Sequence, residues 1–393
     1  MPRADIPAES RHLFGLDCEK MIPTVEIREK YTAWWQGKNK GPLLYITAPR
    51  SGSAFDALDR PRRGWERSCR NSRLADAMDY IEREGDWDKL EQTLAVWDEA
   101  QACTFYAGVG YPLVRVNTGP GAMASYISGR ARFASTGDGT VWFQVDQPTS
   151  WETIMAFQPE SRAHWWDLSE RCMARIAGWA AERVFVAQPG LGGPLDVLAS
   201  LRTANQLLYD CLDSSEQVKA AQRQLEGFWE YYLRRTGELL ASSNGPNSAS
   251  WLQVWAPGTS AALECDFSAM ISPRMFEELV LPSLARQCSL VDYPVYHVDG
   301  QNALQHLGRL LSLDRLRAIQ WAPIGGTSVV HAEEWYPLYK RIIDAGKRVI
   351  LLGFNPGALD ALFARLPREA FFLTIHCRSE EEAQALAQRY DGQ

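Results

Sequence analysis

The sequence lacks the segments that direct a chain to a membrane or across one. Its first residues, MPRADIPAESRHLFG, contain neither an apolar h-region nor a small-residue cleavage site, and no later apolar run approaches the length of a membrane span. A basic block is also missing, and the net charge is -7, whereas a nucleic-acid surface needs clustered Lys and Arg. We therefore expect a cytoplasmic protein without nucleic-acid or membrane partners, which binds a small molecule and is free to form a homo-oligomer.

Several short motifs that would indicate a function are missing as well. The eight cysteines are scattered, with no C-x-x-C and none of the density of a disulfide scaffold, so we expect reduced and mostly buried thiols. No G-x-G-x-x-G opens a helix after a strand, and no G-x-x-x-x-G-K occurs. These absences remove the commonest reasons to predict an open nucleotide-binding sheet.

Tryptophan, in contrast, is abundant, with 15 residues in a chain that is 46% hydrophobic and 23% charged. Many tryptophans stand beside polar residues, as in TVWFQVDQP and AIQWAPIGG. Core aromatics with a polar handle are the favoured interpretation, and an aromatic pocket lining is the alternative.

Nine short β-rich runs, bounded by Gly, Pro or Asn, recur along the chain. They cover residues 42–48, 111–117, 140–145, 183–188, 251–256, 295–300, 317–322, 348–353 and 371–376. Most are apolar on both faces, which is typical of strands in a buried parallel sheet, and amphipathic helical stretches separate many of them. The alternation predicts an α/β fold, either a (β/α)8 TIM barrel or an open doubly wound sheet.

We favour the barrel, because assigning residues 140–145 to an insertion leaves eight strands. The predicted organisation is a single domain over residues 1–393. Residues 1–40 form an N-terminal extension, and residues 118–182 form an insertion near the barrel mouth. Helix starts are predicted from capping-box spacing at Asp213 with Glu216 and at Ser379 with Glu382, and from Pro273 after Ser272.

Polar residues at two predicted strand ends suggest a metal site. His297 and Asp299 end one strand, and because residues two apart face the same way, both side chains can approach one ion. Cys377 follows another strand and precedes a helix, whose dipole favours the thiolate. Imidazole, carboxylate and thiolate together resemble a catalytic zinc site with one open position. The alternatives are a turn aspartate and a packing cysteine. His376, on the opposite side of the strand from Cys377, is left out of this set.

From about residue 110 onward the chain resembles the uroporphyrinogen decarboxylase superfamily. The resembling stretches are GPGAMASYISG, GPLDVLASLRTANQLLYDCLDSSEQV, ISPRMFEELVLPSLARQC, YHVDGQNALQHL and IHCRSEEEA. The resemblance implies a (β/α)8 barrel and points to the zinc-dependent methyltransferase branch, which works with corrinoid proteins and binds zinc through an H-x-C pair and a distant cysteine. Here His297, Asp299 and Cys377 occupy those positions, with Asp299 replacing a cysteine. The arginine-rich signature of the decarboxylase branch has no match.

Further residues are candidates for chemistry or substrate binding. Glu264 and Asp266, in the loop after residues 251–256, are candidate general acids or bases, or a fourth metal ligand. The alternative is that Asp266 or Ser268 caps a helix. The candidate substrate-binding residues are Arg50, Asn117, Trp142, Asp146, Gln188, Trp255, Gln320 and Trp321. His306 and His331 are interpreted as structural or exposed.

These observations lead to three functional hypotheses. The first is a zinc-dependent, methyltransferase-like group-transfer enzyme with a small polar substrate, in which Zn²⁺ activates a nucleophile and a corrinoid protein is a candidate partner. The second is a metal-independent hydrolase or lyase of a sugar-like substrate that uses paired carboxylates. The third is a barrel that binds a small molecule without catalysis.

Overall fold

The computed structural model describes residues 23–53, 74–116, 118–128, 132–135, 141–158, 164–181, 183–323 and 329–390. Within these ranges the chain is a mixed α/β protein. The helices of the first half are α1 Val25–Gln36, α2 Leu74–Glu84, α3 Asp88–Ala102, α4 Ala122–Ser128, α5 Trp151–Met155, α6 His164–Ala180, α7 Pro194–Arg202, α8 Ala204–Asp213 and α9 Ser215–Asn244. Those of the second half are α10 Pro273–Met275, α11 Leu281–Leu290, α12 Leu307–Leu311, α13 Tyr336–Asp344, α14 Leu359–Phe363 and α15 Glu380–Tyr390. None of the helices in the described ranges combines the length and the apolar character needed to cross a bilayer.

Seven strands form the central sheet. The strands of the chain are β1 Leu43–Pro49, β2 Thr104–Gly108, β3 Leu113–Arg115, β4 Arg132–Ser135, β5 Val141–Gln144, β6 Phe185–Ala187, β7 Ser248–Ala249, β8 Trp255–Ala256, β9 Ser260–Leu263, β10 Tyr293–Asp299, β11 Ala318–Ala322, β12 Arg348–Leu351 and β13 Phe371–His376. The sheet order is β2-β1-β13-β12-β11-β10-β9, and every pair is parallel except β1 with β2. The α/β prediction is therefore confirmed.

The sheet is not closed by strand ladders in the described residues, so the (β/α)8 barrel stays a prediction. The short strands β3 and β6 pair in parallel with each other, and β7 pairs antiparallel with β8. Single hydrogen bonds link these pieces: Gln188 N donates to Ala249 O at 2.9 Å, and Ser260 N donates to Ser248 Oγ at 2.6 Å. The first described strand, β1, lies beside the last, β13.

One face of the sheet, called the inner face here, packs against helix α1. It carries Val295, Ala318, Ile350 and Phe372, and these side chains form one apolar cluster with aromatic residues of α1. The rings of Tyr31 and Phe372 lie 6.1 Å apart. This aromatic layer forms an apolar floor under the inner face, and burial of each such ring contributes about 1.5–3 kcal/mol.

Helix α1 is tied to this floor by polar atoms as well. Trp35 Nε1 donates to Trp255 O at 2.9 Å, across 220 residues of sequence, and the hydroxyl of Tyr31 donates to Val109 O at 3.3 Å. The helix begins at the N-cap Thr24 and ends at Gly37, whose φ of 73° lies in the left-handed region that favours glycine.

The opposite, outer face of the sheet packs against the surrounding helices. Tyr296 and Val298 of β10, Trp321 of β11 and Ile375 of β13 belong to the larger core cluster together with residues of the helices. Because side chains alternate along a strand, the sequence position of each residue decides which of the two faces it reaches. This alternation determines the composition of the site described below.

Most predicted strands coincide with observed strands, but those at residues 111–117 and 183–188 form a separate two-stranded ladder, and strand β2 of the central sheet was not predicted. Residues 141–144 pair with β4 and lie outside the central sheet. Residues 251–256 contain only the short strand β8, because residues 250–253 form a turn with Gln253 at a φ of 68°. Strand β9 was not predicted, since Ser-Ala-Ala-Leu has no β-branched residue to suggest a strand.

Two of the three predicted helix starts are confirmed. Ser379 Oγ accepts from Glu382 N at 3.2 Å, and Ser272 Oγ accepts from Met275 N at 3.2 Å, with Pro273 in the first turn. The start at Asp213 is wrong, because Asp213 ends α8 and the residue before α9 is Ser214, which makes no side-chain cap. Between α10 and α11 a π-helical turn, Phe276–Val280, precedes Pro282, whose missing N–H disfavours a regular α-helix there.

Candidate functional site

The candidate site lies on the inner face, at the carboxyl ends of β9 and β10. One ligand atom each of Asp266, His297 and Asp299 lies within 4.8 Å of the other two. His297 and Asp299 project from β10 one layer above Val295 of the apolar floor, and their side chains are 11% and 29% exposed. Asp266 opens the short 3-10 helix, Asp266–Met270, that follows β9. Parallel strand ends therefore bring together residues that are 31 to 33 positions apart.

The imidazole of His297 is oriented by its neighbour on β11. Gln320 Nε2 donates to the backbone carbonyl of Trp321 at 2.9 Å, which turns Gln320 Oε1 toward His297 Nδ1. Because an amide oxygen only accepts, Nδ1 carries the proton in this hydrogen bond. The lone pair of the neutral ring then lies on Nε2, which is 3.9 Å from Asp299 Oδ1. This arrangement, with one ring nitrogen held and the other free, is typical of metal-binding histidines.

Trp251 and a glycine-rich loop bound the site on its other sides. The ring of Trp251 meets His297 edge-on, with the centroids 5.0 Å apart. The loop before α7 passes so close to β9 that a Cβ on Gly193 would lie 2.2 Å from the carbonyl oxygen of Glu264. Glycine at this position therefore lets the start of α7 approach the end of β9.

Two further carboxyl groups are buried beside the three ligand candidates. Glu264, directly after β9, and Asp196, in the first turn of α7, are each 4% exposed. Asp196 Oδ1 accepts from Phe267 N at 2.8 Å, so it holds the 3-10 helix that carries Asp266. Asp196 was not predicted from the sequence, because its position in a helical first turn suggests only a favourable interaction with the helix dipole.

Three carboxylate oxygens of this group have no hydrogen-bond partner among the described residues, although each is buried. They are Asp196 Oδ2, Glu264 Oε1 and Asp266 Oδ1. An unpaired buried carboxylate costs several kcal/mol unless a proton or a cation compensates for the lost hydration. A bound cation would supply the compensation that these buried carboxylates lack, so the set of ligand atoms fits a cation site.

The pKa values of the buried carboxyl groups reflect the same shortage of partners. Burial raises the pKa of Glu264 well above its usual range, and the charges of Asp266, Asp196 and Asp299 raise it further. Burial, together with the charge of Asp266, raises the pKa of Asp196 to about 7, against hydrogen bonds from backbone N–H groups that lower it.

The pKa values of the two ligand carboxylates are raised too. Burial raises the pKa of Asp266 and of Asp299, and the charge of His297 counteracts both shifts. In the absence of a cation, both groups therefore take up a proton more readily than an ordinary exposed aspartate does.

Cys377 does not join this group. The described residues whose ligand atoms meet here are Asp266, His297 and Asp299, and Cys377 belongs to the core cluster on the outer face. Burial and, to a smaller extent, the charge of Glu382 raise the pKa of the Cys377 thiol to about 12, so the expected thiolate is disfavoured. His376, which the sequence-based ligand set leaves out, lies on the same side of its strand as Phe372, which is the inner face. Its Nδ1 lies 2.6 Å from Thr47 Oγ1.

Of the predicted substrate-binding residues, Gln320 contacts the site through His297. Trp255 lies in the floor and Trp321 in the outer core, where it packs on Trp335 at 5.0 Å. By the alternation along β6, Gln188 points to the outer face. Its Nε2 lies against α9, 3.6 Å from where a Cβ on Gly237 would be.

The remaining candidates lie at the end of β1 or outside the central sheet. Arg50 Nη2 donates to Thr104 O at 3.3 Å. Trp142 is half-buried in β5, and Asp146 is exposed just after it. Asn117 falls outside the described residues. His306, expected to be structural or exposed, is fully buried, stacks on Phe276 at 4.2 Å and bonds Ser268 O through Nε2 at 2.9 Å.

A comparison of the chain with protein-family models and another with curated proteins gave no match.

Proposed function

We propose that this protein is a metal-dependent group-transfer enzyme whose divalent cation is held by Asp266, His297 and Asp299. The observation that carries the proposal is the meeting of these three ligand atoms within 4.8 Å, beside buried carboxylate oxygens that lack partners among the described residues. Ligand atoms on a tetrahedral zinc ion, with bonds of about 2.1 Å, lie about 3.4 Å apart. The ligand atoms therefore have to approach one another by up to about 1.4 Å when they bind one ion.

Zinc is the ion we propose, with manganese as the ion to compare, because one imidazole and two carboxylates suit both. Once bound, the cation supplies Lewis acidity, which lowers the pKa of a coordinated substrate group or water. The sequence-based ligand set is altered in one member, with Asp266 in the place expected for Cys377. A ligand set without sulfur leaves the ion harder than a thiolate set does, and a harder ion favours an oxygen or nitrogen nucleophile over a thiol.

Glu264 is the residue we assign to proton transfer. Burial and three neighbouring carboxyl groups raise its pKa, which favours the protonated form of the side chain. A buried carboxylic acid next to the cation site can donate that proton to a leaving group and accept it back in a later step. Asp196 keeps the 3-10 helix of Asp266 in place through its bond to Phe267 N.

The barrel architecture and the superfamily resemblance remain part of this proposal. The pairing of β1 with β13 and the single hydrogen bonds from β6 to β7 and from β7 to β9 support a closed, barrel-like arrangement. In such a fold catalytic groups collect at the carboxyl ends of the strands, where Asp299 and Glu264 lie. A methyl group as the transferred unit and a corrinoid protein as the partner stay predictions from the resemblance.

The test is elemental analysis of metal bound to the purified protein, after equilibration with zinc or manganese and removal of free ion. We expect one ion per chain in the wild type and in His164→Ala, a matched control in which an exposed histidine on α6 is removed. His297→Ala should weaken affinity by about 100-fold, because it removes the neutral nitrogen ligand. Equal metal in wild type and His297→Ala, or none in either, would contradict the proposal.

A metal-independent hydrolase or lyase is the second candidate, and a specific observation favours it. The pKa of Asp196 is raised to about 7 and that of Glu264 well above its usual range, so that carboxyl groups able to supply a proton lie beside Asp299. Chromogenic glycosides in the presence of a chelator test this reading. Hydrolysis that survives the chelator and is lost in Glu264→Gln would support it over the metal-dependent proposal.

A further inference from the structure

A second cavity lies at the opposite edge of the sheet from the carboxylate site. It has a volume of about 380 Å³ and opens where β11, β12 and β13 begin. Its walls include the cationic residues Arg317, Lys347 and Arg348 and the apolar residues Trp35 and Ile343. Ligand pockets in proteins typically have volumes of about 300–1,000 Å³, so the space suffices for a small organic molecule.

Arg348 is fixed in the wall by its surroundings. Its Nη1 donates to Glu369 O at 3.2 Å, and its guanidinium carbon lies 5.7 Å from the centre of the Trp34 ring. A Cβ on Gly37 would lie 2.9 Å from Arg348 Nη2, so the glycine that ends α1 also leaves room for this guanidinium. A guanidinium that is held in place loses little side-chain entropy when it binds an anion.

Lys347 and Arg317 add two more charges to the same wall. Lys347 Nζ donates to Leu313 O at 2.7 Å, and burial lowers the pKa of this lysine, with repulsion from Arg317 acting in the same direction. Arg317 is exposed, and its guanidinium forms no hydrogen bond or ion pair with another described residue.

Acidic side chains compensate these charges only from outside the cavity. Asp314 acts on Lys347 and Glu369 acts on Arg348, but no acidic residue is among the described residues that line the space. Three like charges around one space repel each other, and an anion placed between them removes that repulsion. The positive wall is notable in a chain with a net charge of -7.

We propose that this cavity binds the phosphate group of a small organic molecule through Arg317, Lys347 and Arg348. Arginine forks match phosphate oxygens in a bidentate geometry, and lysine adds a point charge. The apolar surface of Trp35 and Ile343 lies beside the cations and receives the organic part of the ligand. The site is separate from the metal-dependent chemistry, because it lies at the amino ends of the strands.

Isothermal titration calorimetry of the full chain with ribose 5-phosphate, inorganic phosphate and ribose tests the proposal. We expect both phosphates to bind and ribose alone not to bind. Arg317→Ala should weaken phosphate binding by about tenfold, as expected for the loss of one charge-assisted hydrogen bond. Arg223→Ala removes the same charge from an exposed position on α9 and should change affinity by less than about twofold.

The possible results distinguish an organic phosphate from free phosphate, and they distinguish this site from the metal site. Tighter binding of ribose 5-phosphate than of inorganic phosphate supports an organic ligand, whereas equal binding supports free phosphate with the same three cations. Unchanged phosphate affinity in His297→Ala supports a site independent of the metal group. Lack of phosphate binding by the wild type, or equal losses in Arg317→Ala and Arg223→Ala, would overturn the proposal.

Discussion

The inner face of the sheet changes character within two residues along the same strands. Val295 and Ala318 belong to the apolar floor, where their neighbours include aromatic rings. One layer higher, His297 and Gln320 are bonded to each other, and buried carboxylate oxygens lack partners among the described residues. The floor stabilises the fold. The unpaired buried carboxylates of the upper layer lower the stability of the fold, but they can bind a ligand.

This difference implies that stability and ion binding respond to different substitutions. A change in the floor should lower the free energy of unfolding and leave the intrinsic ion affinity of the folded protein intact. A change in the upper layer should lower ion affinity with little loss of stability. The four predictions below test this separation, in order of decreasing effect.

Phe372→Ala should cost the most stability. Phe372 is fully buried in the floor, and truncation of such a ring typically lowers the free energy of unfolding by about 3–5 kcal/mol. Urea denaturation measures the loss, and Phe372→Leu, which keeps most of the volume, should recover much of it. A large loss of zinc affinity in the folded Phe372→Ala protein would show that the two layers are not separable.

Gln320→Leu should lower zinc affinity by about 10- to 100-fold, because it removes the acceptor that holds the Nδ1 proton of His297. Calorimetric titration of the folded protein with zinc measures the change. Gln320→Glu keeps an acceptor at the same place and should bind zinc more tightly than Gln320→Leu. If both variants bind zinc like the wild type, the orientation of His297 does not depend on Gln320.

Asp196→Asn should change how the stability of the metal-free protein depends on pH. The pKa of Asp196 is about 7 in the folded protein, above an ordinary value of about 3.9 in the unfolded chain. The folded state therefore binds the extra proton between these values, and stability falls as pH rises through that window. Asparagine cannot ionise, so the variant should lose less stability between about pH 4 and pH 7.

Thermal unfolding at several pH values, in the presence of a chelator, measures this effect. Asp213→Asn, at the end of α8, is a control with the same chemistry at an exposed position. Identical pH profiles for the wild type and Asp196→Asn would contradict the raised pKa.

Cys377→Ala should have the smallest effect on the site. The thiol lies in the outer core, so its removal should lower the free energy of unfolding by about 1 kcal/mol and leave zinc content unchanged. Elemental analysis distinguishes this expectation from the sequence-based ligand set, in which loss of Cys377 removes the metal.

The sequence predicted much of the sheet and part of the site. The strand that carries His297 and the strand that Cys377 follows were placed correctly, and His297 and Asp299 do share a face. The alternation in FFLTIHC places Cys377 on the same side as Leu373 and Ile375, but it does not tell whether that side is the inner or the outer face of the sheet. Only the packing partners of Phe372 and Leu373 identify the inner and outer faces.

The rest of the site depends on contacts that no local pattern indicates. Glu264 and Asp266 were named as candidates for acid–base chemistry or for a fourth metal ligand, but the strand before them was missed, so the sequence did not indicate which of the two reaches His297. Asp196 lies about 70 residues before Asp266 and reaches it only because Gly193 lets α7 pack closely on β9. Tertiary packing over such separations is not encoded in periodicity or propensity.

The bond between Trp35 and the carbonyl of Trp255 has a consequence for how the chain is made. Helix α1 is synthesised early, but its partner is added 220 residues later. At about 5–20 residues per second, a ribosome needs about 10–45 s to cover that distance. Tyr45 and Tyr111 of the floor are available earlier, so α1 gains its contacts in stages, and the indole of Trp35 is the group that waits for residue 255 to be made.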